Sequence, residues 1–110
     1  MSVATGQAAA TEPVIEILKR QSFDPLLHTV FRTANTSPVV DVVLTEIRDL
    51  RAYPGPGRPD PFALLFRGPL DKALPQSMYV LVAQAEQVFE VFLVPVGMDA
   101  DGRLYEAVFN

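Results

Sequence analysis

The chain has 110 residues, 49% of them hydrophobic and 20% charged, with nine Lys/Arg against thirteen Asp/Glu, a net charge of −4 and no cysteine. That is the profile of one soluble globular domain, large enough to bury roughly 60% of its unfolded surface in a single core without metal or cross-links. Disulfides are excluded, and the mild acidity gives no electrostatic footprint for nucleic acid or an anionic membrane.

Residues 1–11 are small and polar, with neither a basic start nor an apolar stretch, and read as a flexible N-terminal arm without a secretory signal of the usual kind. Residues 12–110 read as a single β-rich domain. The longest apolar run, residues 88–96, carries Glu90 and Pro95 and falls short of the roughly 18 to 20 residues that a membrane-spanning helix requires. Membrane insertion is therefore not expected. Localisation stays open between the cytoplasm and export by a non-classical route.

Thr11 suits the cap of a short helix with Pro13 in its first turn, Glu12 and Glu16 at its positive end, and Lys19 and Arg20 near its negative end. Val14, Ile15, Ile17 and Leu18 form its apolar stripe, and the helix is expected to stop before Ser22. Asp24-Pro25 then imposes an extended or turn geometry, after which Leu26, Leu27, Val30 and Phe31 supply core residues without a clear period.

Residues 39–48, VVDVVLTEIR, are β-branched and alternate as a long strand, with Val40, Val42 and Leu44 on one face. Val39, Val43 and Ile47 make the second face partly apolar too, as though the helix covers it. Four prolines in the eight residues after Tyr53 then dictate an exposed loop. Further strands are expected at residues 62–67, 78–83, 88–96 and 103–109, joined as consecutive antiparallel hairpins. Arg67-Gly68-Pro69 and Leu74-Pro75-Gln76 punctuate the first two, and Gly102 is expected to take a left-handed conformation in the last turn. The fold class is mainly β: a small antiparallel β-barrel or sandwich of five to six strands with one short N-terminal helix.

No constellation of reactive groups emerges. His28 is the sole histidine; Asp24 lies four residues before it, but Pro25 argues against a shared helix face and two ligands are too few for zinc. Ser22, Ser37 and Ser77 lack a strained glycine-flanked elbow. Asp99, Asp101 and Gly102 resemble the start of a calcium loop, but the glycine comes too early, no closing glutamate follows, and a hairpin turn selects the same residues. Arg67-Gly68-Pro69 offers a guanidinium and amides to an anion, although a turn accounts for it as well. Glu90 and Glu106 are placed to face each other across the final hairpin, which without a cleft is not catalytic. No cofactor, metal site or enzymatic activity is expected.

In this order, PFALLFRGPL, LPQSMYVL, VFEVFLVPVG and GRLYEAVFN resemble the signature of an uncharacterised bacterial domain-of-unknown-function family, over about Phe23 to Asn110. In that family a glycine usually stands where His28 and Ser77 sit here, which speaks against a function for His28. The resemblance implies a family without an established activity, its members often encoded near proteins with phage-tail collar-like domains. The corresponding role is in a phage-tail-like, surface or filamentous assembly.

A terminal strand with an open edge can pair with another chain, and Phe92, Val94, Tyr105 and Phe109, with Arg67, are the candidate interaction residues. The expectation is a non-enzymatic structural or interaction module that self-associates or docks on a protein partner. The alternative is a small-molecule-binding β-barrel, which should enclose an apolar cavity where the interaction module is packed solid.

Overall fold

Alternation with a period of two puts every second side chain of a strand on one face, and that face has to be buried. In a computed structural model that describes residues 20–50 and 61–109, this requirement is met by six antiparallel strands wound into one closed sheet. They are β1 (Val30–Thr33), β2 (Asp41–Asp49), β3 (Phe62–Gly68), β4 (Ser77–Val82), β5 (Val88–Asp99) and β6 (Gly102–Phe109). Around the barrel the order is β1-β2-β3-β6-β5-β4, closing back on β1. The fully buried side chains Phe31, Val42, Leu44, Leu64, Phe66, Leu81, Leu93 and Tyr105 fill the interior. Even eight strands leave a barrel only just wide enough for side chains, so six leave it filled.

The helix departs from expectation at its C-terminal end. Its cap and apolar stripe lie outside the described residues, but α1 (Arg20–Phe23) runs through Ser22 and continues as a 3-10 turn over Asp24–Leu26. Pro25 sits at the start of that turn, where a missing N–H costs nothing. The helical path is held by what it buries. Phe23 is fully buried, with its ring 6.0 Å from that of Phe62, 4.9 Å from Phe89 and 5.7 Å from Phe109, closing the barrel end where β3 begins and β6 finishes. The ladder between β5 and β6 stops at the pair Val94↔Glu106, and Phe23 spans the two strands beyond it. Arg20 Nη1 donates to Asp24 Oδ1 at 2.8 Å, while its Nε lies 2.6 Å from Asp49 Oδ1 without its N–H aimed there, a charge contact rather than an aligned bond.

A bulge shapes the second apolar face of β2, while the helix stripe expected to cover it lies outside the described residues. A register shift between Leu44 and Glu46 inserts one residue, so the inward set changes from Val40, Val42 and Leu44 to Ile47, which packs on the core. Val39 is exposed and Val43 half-buried. The connection from β2 to β3, including the proline-rich segment expected as a loop, lies outside the described residues.

Nor do the strands follow one another as simple hairpins throughout. β3 pairs with β2 and β6, and β4 with β5 and β1, so the segment between β3 and β4 crosses an end of the barrel. Leu74 of that segment is buried in the core, its N–H donating 2.9 Å to Tyr105 Oη; Tyr79 Oη donates to Pro75 O, and Arg103 Nε donates to Leu70 O at 2.8 Å. Phe23 and Leu74 thus plug opposite ends.

Two hairpins take turn geometries that local sequence does not announce. β4 and β5 are joined through Ala85 and Glu86, both with φ near +60° (58° and 60°), the twist that a type I′ turn requires and that Asn-Gly usually supplies. The β5–β6 hairpin is tighter than residues 97–102 suggest, since Asp99 pairs directly with Gly102. Gly102 is not among the positive-φ glycines. It is needed for space: a Cβ there would sit 2.4 Å from Gly68 O and 2.6 Å from Arg67 Cγ.

Candidate interaction surface

An antiparallel sheet around a core normally turns apolar side chains inward and polar ones outward. β4 and β5 break that rule. Because Phe89, Val91 and Leu93 point inward, Val88, Glu90, Phe92 and Val94 share the outer face of β5; Tyr79 and Leu81 likewise leave Met78 and Val80 on the outer face of β4. The register sets Met78 directly opposite Phe92, and Val80 opposite Glu90. Met78 is 56% and Phe92 47% exposed, so this cross-strand pair stays in water. Glu90 is the single charge among these six outward positions. Val96 and Met98, farther along β5, and Val108 on β6 are exposed as well.

Edge geometry is different from that expected. β6, the terminal strand, is interior to the sheet, flanked by β3 along its length and by β5 over its first half, so addition of a strand to it is ruled out over that half. Beyond Leu93, opposite the first residue of β4, β5 has β6 as its only strand partner among the described residues. That stretch holds Pro95, which has no N–H to offer, and a register shift between Pro95 and Gly97. Both features blunt an edge against pairing.

The residues singled out from sequence therefore separate. Phe92 and Val94 lie on the outer face. Tyr105 does not reach it: it is 1% exposed, points inward between β3 and β5, and accepts the Leu74 N–H. Phe109 is half-buried and belongs to the aromatic plug, its ring stacked on Phe62 at 4.7 Å and 8°. Arg67 is engaged locally, Nη2 donating to Asp99 Oδ2 at 2.9 Å while its stem lies against Gly102. Met78, which the sequence reading passed over as an ordinary strand residue, completes the pair with Phe92. Only the register reveals that neighbour.

The remaining polar candidates are scattered over the fold. Asp99 Oδ1 accepts the N–H groups of Asp101 and Gly102 at 2.9 and 3.0 Å, so the carboxylate that suggested a calcium loop caps a turn. The Arg67 hydrogen bond, with those amides, holds the Asp99 carboxyl below its ordinary pKa. Glu90 and Glu106 do not face each other, since their partners are Val80 and Val94. Asp24 is paired with Arg20, and His28 is exposed with φ 68° in the left-handed region, its N–H donating to Leu44 O. Ser22, Ser37 and Ser77 are all exposed. Burial, with a smaller contribution from Tyr105, pushes the Tyr79 phenol above its usual pKa. Among the described residues no group of three His, Cys, Asp or Glu could hold a metal ion, and no helix is long and apolar enough to cross a membrane.

A family model described as Domain of unknown function (DUF6916) matches residues 18–109. Neither a curated protein nor a solved structure matches the chain.

Proposed function

We propose, for a chain that belongs to the DUF6916 family, a non-enzymatic structural role: it associates with a second copy or another protein through the outer face of β4 and β5. One observation carries the reading. Met78 and Phe92 stand opposite each other and half in water, flanked by Val80, Val88 and Val94, with Glu90 the one charge in the group. Contiguous apolar surface of this kind is costly to hydrate and marks a surface that a partner covers, and Met and Phe are the side chains interfaces favour. The filled interior supports this reading over a small-molecule-binding barrel, which needs room for its ligand. The neighbourhood implied by the family resemblance suggests a phage-tail-like or surface assembly as the setting.

The test is sedimentation velocity of the full chain over a wide concentration range, beside Phe92→Lys and Met78→Lys. Both positions point outward, so each change should alter stability by no more than about 0.5 kcal/mol. Association of the native chain, abolished in both variants at unchanged melting temperature, is the expected result. A native chain monomeric at all concentrations, or variants that associate equally well, would overturn self-association through this face.

A further inference from the structure

Of the seams that backbone pairing leaves incomplete, the one between β1 and β4 is the shortest, with two paired positions. β1 is only four residues long, and its register with β4 consists of Arg32↔Val82 and Thr33↔Leu81. β4 meanwhile pairs with β5 along its whole length, Ser77↔Leu93 through Val82↔Val88. On the β1 side, the stretch of β4 before Leu81 has no facing strand residue. Ala34 N–H donates to Val80 O at 2.8 Å, and from there the side chain of Asn35 takes over. Its Nδ2 donates to Met78 O at 3.3 Å and its Oδ1 accepts the Val80 N–H at 3.0 Å. The two halves of one amide thus present to β4 the donor and acceptor that a peptide group of a longer β1 would have presented. Only Asn or Gln carries both on the separate atoms of a side-chain amide, and only one orientation of that amide satisfies both partners.

The other side of β1 is far better tied. It pairs with β2 through Val30↔Val43, Phe31↔Val42 and Arg32↔Asp41. That ladder is lengthened by bonds from Leu44 N–H to Thr29 O, His28 N–H to Leu44 O and Thr33 N–H to Val40 O. The buried Thr33 hydroxyl accepts the Val40 N–H at 2.8 Å and lies 2.6 Å from the Thr36 hydroxyl, fixing the turn between the two strands. Across the β1–β4 seam the ion pair Arg32–Glu86 spans 3.9 Å between exposed side chains, a contact of little strength in water.

We infer that the barrel opens locally at the β1–β4 seam, with β1 remaining on β2, and that Asn35 is the latch that holds the seam shut. Opening uncovers the edge of β4 from Met78 to Val82, next to the exposed Met78–Phe92 pair, together with the Phe31 side of the interior. The inference stands independently of the proposed association.

Native-state hydrogen exchange of the full chain, resolved by residue, tests it. In the native protein the amides of Arg32, Ala34 and Val82 are expected to exchange faster than those of Leu64 and Phe66, which lie in β3 between β2 and β6. Replacing Asn35 by Ala removes bonds that the open seam and the unfolded chain both lack, so it should accelerate the three seam amides by roughly tenfold, the consequence of losing one or two hydrogen bonds. The Val80 amide is set aside because it loses its acceptor directly. Tyr105→Phe removes a bond that the open seam keeps, so it should accelerate Leu64 and Phe66 through global unfolding without touching the seam. If the native seam amides exchange no faster than those of β3, if Asn35→Ala leaves them unchanged, or if Tyr105→Phe accelerates both groups by the same factor, the latch does not exist.

Discussion

Replacing Gly102 by Ala tests the packing of the β5–β6 turn against β3. The added Cβ would lie 2.4 Å from Gly68 O, 2.6 Å from Arg67 Cγ and 3.1 Å from Arg67 Cδ. Carbon–oxygen contacts between strands rest near roughly 3.3 Å, so β6 and β3 must part by about 0.9 Å at this point. The obstacle is backbone and cannot swing aside as a side chain does. Overpacking of this kind costs about 1–3 kcal/mol, and straining one or two ladder bonds beside Gly68↔Arg103 adds about 1 kcal/mol each, giving about 3 kcal/mol in total. For a domain of this size that lowers the melting temperature by about 12–24 °C. Urea unfolding followed by tyrosine fluorescence, which no tryptophan obscures, and thermal unfolding by circular dichroism measure it. Arg67→Ala in the same chain removes the Cγ contact and leaves the carbonyl in place, so it should not rescue Gly102→Ala. A loss under about 0.5 kcal/mol, or full rescue by Arg67→Ala, would refute the reasoning, since the ordinary scatter of surface substitutions is that large.

His28→Gly should stabilise the chain by up to about 1 kcal/mol, because relief of a left-handed backbone worth about 1–2 kcal/mol exceeds the added flexibility of the unfolded glycine; a higher urea midpoint at unchanged slope is the expected reading. Tyr105→Phe leaves the buried Leu74 N–H without its acceptor and should cost about 1–3 kcal/mol by the same measurement. Acid should loosen the β5–β6 turn in a definite direction. Asp99 has a folded pKa below its ordinary 3.8, so its contribution is complete above 3.8 and disappears as pH falls through the folded value. An NMR titration should give a midpoint below 3.8, and Asp99→Asn should remove that part of the acid dependence.

Much of the strand content was legible because alternation is a local property. Residues 62–67, 78–83 and 103–109 agree with β3, β4 and β6 to within a residue or so, and β5 runs three residues beyond the expected 88–96. β1 was missed because four residues, Val30–Thr33, are too few to establish a period, and it owes its place to β2 and to the Asn35 amide. The turn at Ala85-Glu86 was invisible for the opposite reason, since its residues carry none of the usual signal and the flanking strands impose the positive φ. Of the residues singled out from sequence, Phe92 and Val94 face outward and Tyr105 and Phe109 face the core. All four alternate correctly, but whether a face meets solvent or core depends on which strand lies beside it.

Composition, periodicity and the positions of proline and glycine by themselves determined that this chain is mainly β and antiparallel, and in which stretches most of its strands lie. These are matters of near neighbours along the chain. The tertiary structure alone decided that β6 lies between β3 and β5, that a bulge turns Ile47 inward, that Gly102 is small to admit β3, and that Met78 meets Phe92 in water. Each depends on residues far apart in sequence brought together by closure of the sheet, where register and close approach, rather than local preference, set which side chain has a neighbour.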